Sequence, residues 1–228
     1  MSSFKQLSNM LDTDKFKPVE ECKTIPLPQP TPPIIKPKPV IDPSLWQEAA
    51  SRSNIQSIYR NASMDNCPKL PQGIVELGKR WLKANKKPSL YLYGNTGSGK
   101  TYFATALYRA LVEMKLSWMI FVRSDDLDDE LLSAIEEKQE KTRIMKYCEV
   151  PILFIDDLGV ERPSDRMIRQ YYSIIDRRVG EGLLTIITSN VPRENLPLGD
   201  RTISRLEHFY AIEFPKKDIR KTLDLPPL

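Results

Sequence analysis

Three glycines, Gly94, Gly97 and Gly99, fall within six positions ahead of Lys100, in a chain that has only 9 glycines among 228 residues. They belong to "SLYLYGNTGSGKTYFATAL", residues 89–107, between an apolar strand pattern and a helical one. Here Gly94, Asn95, Thr96, Gly97, Ser98, Gly99, Lys100 and Thr101 spell GxxxxGK[ST]. The pattern works where a strand turns at once into a helix. The loop N–H groups then face inward around phosphate oxygens, with the positive end of the helix behind them. These eight residues are the expected nucleotide-binding loop. Lys100 should reach the β- and γ-phosphates of ATP, and the Thr101 hydroxyl should ligate Mg²⁺.

From residue 89 onward short apolar runs alternate with helical patterns, which predicts a parallel sheet covered by helices. Strands are expected at Leu90–Tyr93, Trp118–Val122, Ile152–Ile155, Leu184–Thr188 and Phe209–Phe214. Between them, Thr101–Met114 should bury Phe103, Leu107, Ala110 and Leu111, and Ser164 should cap a helix ending near Gly180. Residues 44–84 carry two further helical patterns. Ahead of them, nine of the 19 prolines lie between Pro18 and Pro43, a stretch that excludes a helix and reads as a disordered, semi-rigid tether. Phe4, Leu7, Met10 and Leu11 precede it at the spacing of one short amphipathic helix. Two segments are thus expected: residues 1–43, a helix and tether for docking a partner, and residues 44–228, the sheet domain.

A nucleoside triphosphatase also needs a carboxylate for Mg²⁺ at the end of a buried strand, and "VPILFIDDLGVE" supplies Asp156. Asp157, next along, is placed to orient or deprotonate an attacking water. In "GLLTIITSN" the strand ends at Asn190, which would stand beside the γ-phosphate if sheet order puts this strand next to the one before the glycine loop. An ordinary turn asparagine is the competing reading. "GDRTISRLEHFYAIEF" puts Arg201 and Arg205 four apart on one helix face. One of them could act on a neighbouring subunit's nucleotide; the alternative is a surface ion pair with Asp200 or Glu207.

Composition removes several other classes. Cys22, Cys67 and Cys148 are far apart and accompanied by a single histidine, His208, so neither a zinc site nor a disulfide framework is expected. The N-terminus has no apolar signal core, and no apolar run reaches the roughly 20 residues of a membrane span. A cytoplasmic location without membrane contact is the expectation. The net charge of +4 is mild, so any nucleic-acid contact should be a local patch.

Walker A "GNTGSGKT", Walker B "ILFIDDLG", the helix "IIDRRVGEGL", sensor 1 "TIITSN" and box VII "GDRTISRL" together resemble an AAA+ P-loop ATPase. Over residues 53–220 the chain looks like the DnaC/DnaI-type replicative helicase loaders and the related IstB transposition ATPases. The segment "NIQSIYRNASMDN" resembles that family's approach to the adenine. The resemblance implies an α/β fold with a five-stranded parallel sheet flanked by helices. It gives Arg205 the arginine-finger position and weakly matches Arg220 to the family's terminal arginine. Only 14 residues follow the final strand, so no C-terminal helical lid is expected and the ATP site should be less enclosed.

The same resemblance implies ATP hydrolysis at subunit interfaces, hence self-assembly through the ATP site. It implies single-stranded DNA against Asp125–Tyr147, where Lys138, Lys141, Arg143 and Lys146 suit phosphates, unless this is a plain solvated face with Glu137 and Lys141 paired. The implied partner is a hexameric DnaB-like helicase docked through residues 1–43; the alternative is an IstB-like helper that delivers a transposase to DNA. A metabolite kinase and a non-catalytic nucleotide-gated adaptor are the more distant readings.

Overall fold

The computed structural model describes residues 43–67, 70–116, 118–159, 163–216 and 218–219. The expected N-terminal helix and tether, Cys22 and Arg220 lie outside the described residues. Twelve elements follow in order: α1 (Pro43–Arg52), α2 (Gln72–Lys83), β1 (Leu90–Tyr93), α3 (Lys100–Glu113), β2 (Met119–Arg123), α4 (Ser124–Glu136), α5 (Glu140–Glu149), β3 (Ile152–Leu158), α6 (Asp165–Gly180), β4 (Leu184–Ser189), α7 (Gly199–Leu206) and β5 (Tyr210–Glu213). The five strands form one parallel sheet in the order β2-β3-β4-β1-β5.

Every strand but the edges is covered on both faces, which is why their sequences are unbroken apolar runs. Period-two alternation divides them between two cores. Leu90, Leu92, Phe154 and Ile186 face the layer that holds Trp46, Phe103, Leu107 and Leu111 from α1 and α3. Tyr91, Leu153, Ile155 and Ile187 face the opposite layer, with Leu131 of α4, Tyr147 of α5, Ile174 and Ile175 of α6 and Leu206 of α7. Of the four α3 residues expected to be buried, Ala110 is only partly so. Ser164 caps α6, its hydroxyl accepting from the Met167 N–H at 3.3 Å.

Four of the five strands depart from their expected bounds, β4 by running one residue further, to Ser189. Trp118 has φ of 73° and is 78% exposed, so β2 begins one residue later. Phe209 and Phe214 are buried beside β5 without belonging to it. β3 runs on to Leu158, and its register with β4 shifts between Ile155 and Leu158. Among the described residues no helix is long and apolar enough to cross a membrane.

Candidate functional site

The site is built at the C-terminal edge of the sheet, where β1, β3 and β4 end side by side. After Tyr93 the chain turns through Gly94 at φ 146°, where an added Cβ would lie 2.7 Å from the Phe214 carbonyl oxygen. Only a residue without a side chain lets the backbone leaving β5 pass this close. Gly99, at φ 96°, is the left-handed N-cap of α3. Lys100 therefore opens a helix whose first N–H groups point into the loop, a ready anion site.

Lys100 is 5% exposed. Its ammonium donates to the carbonyl oxygens of Gly94 at 2.8 Å and Asn95 at 2.9 Å, and to Asn190 Oδ1 at 3.0 Å. The last bond exists because β4 lies next to β1, the sheet order on which the reading of Asn190 depended. Asn190 Nδ2 in turn donates to Asp157 Oδ1 at 2.7 Å. One hydrogen-bonded line thus joins lysine, asparagine and aspartate across three strand ends.

In a regular strand Asp156 and Asp157 would face opposite ways. The register shift in β3 keeps both at the site: Asp156 Oδ1 accepts from Thr101 Oγ1 at 3.0 Å, while Asp157 faces Asn190. Asp157 has φ of 62°, a left-handed conformation that aspartate tolerates better than most. Its N–H donates to Thr188 Oγ1 at 2.8 Å, and its carbonyl accepts from Ser124 Oγ at 2.8 Å. The Thr188 hydroxyl donates onward to Asp156 Oδ1 at 2.6 Å. Sequence reading missed Thr188 and Ser124. The polar run after "TII" was the available signal for Thr188, whereas nothing local marked Ser124.

Burial pushes the Asp156 carboxyl above the usual carboxylate range, against the opposing effect of the Thr188 and Thr101 hydroxyl bonds. A buried carboxylate beside a hydroxyl is a hard-oxygen donor pair that a divalent cation would relieve. Among the described residues no group of three His, Cys, Asp or Glu side chains gathers to hold a metal. The pair therefore fits Mg²⁺, which takes one or two protein oxygens and completes its shell with phosphate and water.

A cavity of about 420 Å³ opens over the loop. Thr96, Lys100, Thr101, Asp157 and Asn190 line its polar end; Ile58, Tyr59, Cys67, Leu70 and Ile219 line the apolar end. The volume suits a nucleotide-sized ligand. The segment read as an approach to the adenine supplies Ile58, Tyr59 and Asn66 to this cavity. Burial raises the Cys67 thiol pKa, and its Sγ donates to the Ser63 carbonyl at 2.7 Å. Ile219 returns from beyond β5, donates its N–H to the Gly97 carbonyl at 2.9 Å and covers part of the cavity.

The arginines and lysines sort differently. Arg205 lies on α7 outside the residues that line the cavity. Its Nε bonds Asp176 of α6 at 2.5 Å, not the nearby Asp200 or Glu207. Arg201 is exposed. On α4 and α5 the acidic start is a helix N-terminus, with Asp125 and Asp126 in the first turn of α4. Glu130 of α4 pairs with Lys146 at 2.9 Å and Arg143 at 3.3 Å, and accepts from the Tyr147 hydroxyl. Glu137 pairs with Arg143 at 3.5 Å instead of Lys141. Two of the four basic residues expected to meet DNA are thus held by carboxylates.

The sequence profile of the family described as IstB-like ATP binding protein matches residues 67–205. Similar curated proteins include the chromosomal replication initiator protein DnaA of Oenococcus oeni, 26% identical over 57% of this chain and 29% of that protein. Another is the replicative helicase loader DnaI of Bacillus subtilis, 26% identical over 55% of this chain and 40% of that protein. The chain thus spans well under half the length of these relatives. A crystal structure of the DnaC helicase loader superposes with a TM-score of 0.61 at 23% identity, covering 70% of this chain and all of that one. The two share the AAA+ P-loop fold.

Proposed function

The chain belongs to the IstB-like ATP binding protein family, and from that premise we propose that it is an ATP-switched loader of a replicative helicase onto single-stranded DNA. In this reading Gly94–Thr101 cradles the triphosphate, Lys100 exchanges its loop carbonyls for β- and γ-phosphate oxygens, and Thr101 and Asp156 hold Mg²⁺. The ion supplies charge neutralisation for the phosphates. Asp157, held by Asn190, orients and deprotonates the attacking water; Asn190 links that water's position to Lys100. Apolar packing around Tyr59, Leu70 and Ile219 takes the base.

The observation that carries the reading is the line Lys100–Asn190–Asp157, at 3.0 and 2.7 Å. It couples the group expected to meet the γ-phosphate to the group expected to meet water. Arg205, half-exposed and outside its own cavity, would complete the site of a second copy, so assembly and hydrolysis would be coupled. A helicase as partner and single-stranded DNA as substrate surface rest on the likeness to helicase loaders.

The test measures ATP turnover against protein concentration, with and without single-stranded DNA, alongside co-sedimentation with a hexameric helicase. Turnover that rises with concentration and DNA, and ATP-dependent co-sedimentation, support the reading; concentration-independent turnover and no capture defeat it. A second reading, delivery of a transposase to DNA, is favoured by the IstB-like profile match itself. Capture of a transposase in place of the helicase would select it.

A further inference from the structure

An ion pair joins α6 to α7 outside the residues that line the cavity. Asp176 lies on α6, and its Oδ1 accepts from Arg205 Nε on α7 at 2.5 Å. Both side chains remain partly open to solvent, 41% for Arg205 and 38% for Asp176. Tyr172, one turn before Asp176 on the same helix, also interacts with the guanidinium, and Asp176 and Tyr172 together raise its pKa.

The edge of the guanidinium that Asp176 takes is informative. An arginine has five N–H donors in a planar fork, and bidentate recognition of an oxyanion uses two of them in parallel. Asp176 engages Nε alone, and the Tyr172 side chain also bonds the guanidinium. By contrast, Arg166 commits both Nε and Nη2 to Glu140. The Arg205 plane is thus held along one edge, and Asp176 does not close its fork in a bidentate pair.

The backbone beneath it is equally constrained. Thr202 and Leu206 anchor α7 in the core, and Arg193 Nη1 donates to the carbonyls of Leu206 at 3.2 Å and Phe209 at 3.4 Å. With the helix clamped, the side chain's own torsions are the remaining freedom, and an ion pair at Nε removes much of it before any ligand arrives.

We infer that Asp176 is a positioning residue for Arg205: it grips Nε so that the guanidinium is presented, already oriented, to the triphosphate bound by a second copy of the chain. This rests on the proposal that Arg205 completes a neighbour's site. Asp176 touches no nucleotide and acts only through the arginine.

The full chain is tested as wild type, Asp176→Asn, Asp176→Glu, Arg205→Ala and the Asp176→Asn/Arg205→Ala double variant. Turnover is measured at saturating single-stranded DNA, and binding with a fluorescent ATP analogue. Asp176→Asn should lower kcat about tenfold, with KM and analogue affinity within about twofold of wild type. The double variant should be no slower than Arg205→Ala alone, and Asp176→Glu should recover most of the loss. If Arg205→Ala slows turnover while Asp176→Asn leaves it unchanged or raises it, the positioning role is wrong and the trans-site reading stands. The same holds if the two losses multiply. If Arg205→Ala itself has no effect, both fall.

Discussion

Two buried cations sit at opposite edges of the same sheet, and both donate to backbone carbonyls. Lys100, beyond the C-terminal ends of β1 and β4, bonds two loop carbonyls and Asn190. Arg178, at the C-terminal end of α6, is fully buried at the N-terminal ends of β3 and β4. Its Nη1 donates to the carbonyls of Tyr147 at 2.8 Å and Val150 at 2.6 Å, Nη2 to Leu184 at 2.7 Å, and Nε to Thr185 Oγ1 at 2.8 Å. Burial pushes its pKa down to about 10. The contrast is in what each cation could exchange. Arg178 is a planar fork whose acceptors are the ends of α5, β3 and β4, so releasing it would strand several buried carbonyls. Lys100 is a mobile point charge on the carbonyls of its own loop, which could turn to phosphate with little disturbance elsewhere. One edge of the sheet is built to stay, the other to change partners.

Substitution at each end should separate these roles. Arg178→Met should be the most damaging change to the fold, lowering unfolding free energy by about 3 kcal/mol or more because several buried acceptors lose their donor at once. Urea denaturation would measure it; a loss below about 1 kcal/mol would mean the carbonyls find other donors. Lys100→Ala should leave that curve nearly unchanged while weakening ATP-analogue binding about 100-fold, or about 2.7 kcal/mol. Asp156→Asn should go the other way. A carboxyl with a raised folded-state pKa favours folding below its unfolded pKa, and this contribution is lost as pH rises through the folded value. At neutral pH the nucleotide-free variant should therefore be more stable than wild type, by about 1 kcal/mol, and should lose the Mg²⁺ dependence of analogue binding. The smallest effect is expected at Ile219→Ala, a few-fold loss of analogue affinity with stability unaltered, from apolar contact removed at the cavity roof.

The sequence showed these two edges unequally. The glycine loop, the apolar runs and their alternation with helices were enough to place the sheet and the Lys100 end, because strand-loop-helix motifs are local. Asn190 was legible only on condition of strand order. Thr188 was not, since its bridging of Asp156 and Asp157 depends on a register shift that no local pattern encodes. Arg178 sits with Tyr171, Ile174 and Ile175 at the i, i+3, i+4, i+7 spacing of the buried face of α6, so its position carried a signal. A charged residue at such a site nevertheless looks like the end of a solvated helix until its carbonyl partners are known. Asp176 was hidden for the same reason: the local carboxylates Asp200 and Glu207 were the natural expectation, and the actual partner is 29 residues away.

The central claim is that Lys100 and Arg205 serve one reaction from two different copies of the chain, and a mixing experiment addresses it most directly. Lys100→Ala keeps the arginine and loses the cradle; Arg205→Ala keeps the cradle and loses the arginine. Each alone should turn over ATP slowly on single-stranded DNA, and an equimolar mixture should exceed the sum of the two. A mixture no faster than that sum, with Arg205→Ala alone as active as wild type, would contradict the account.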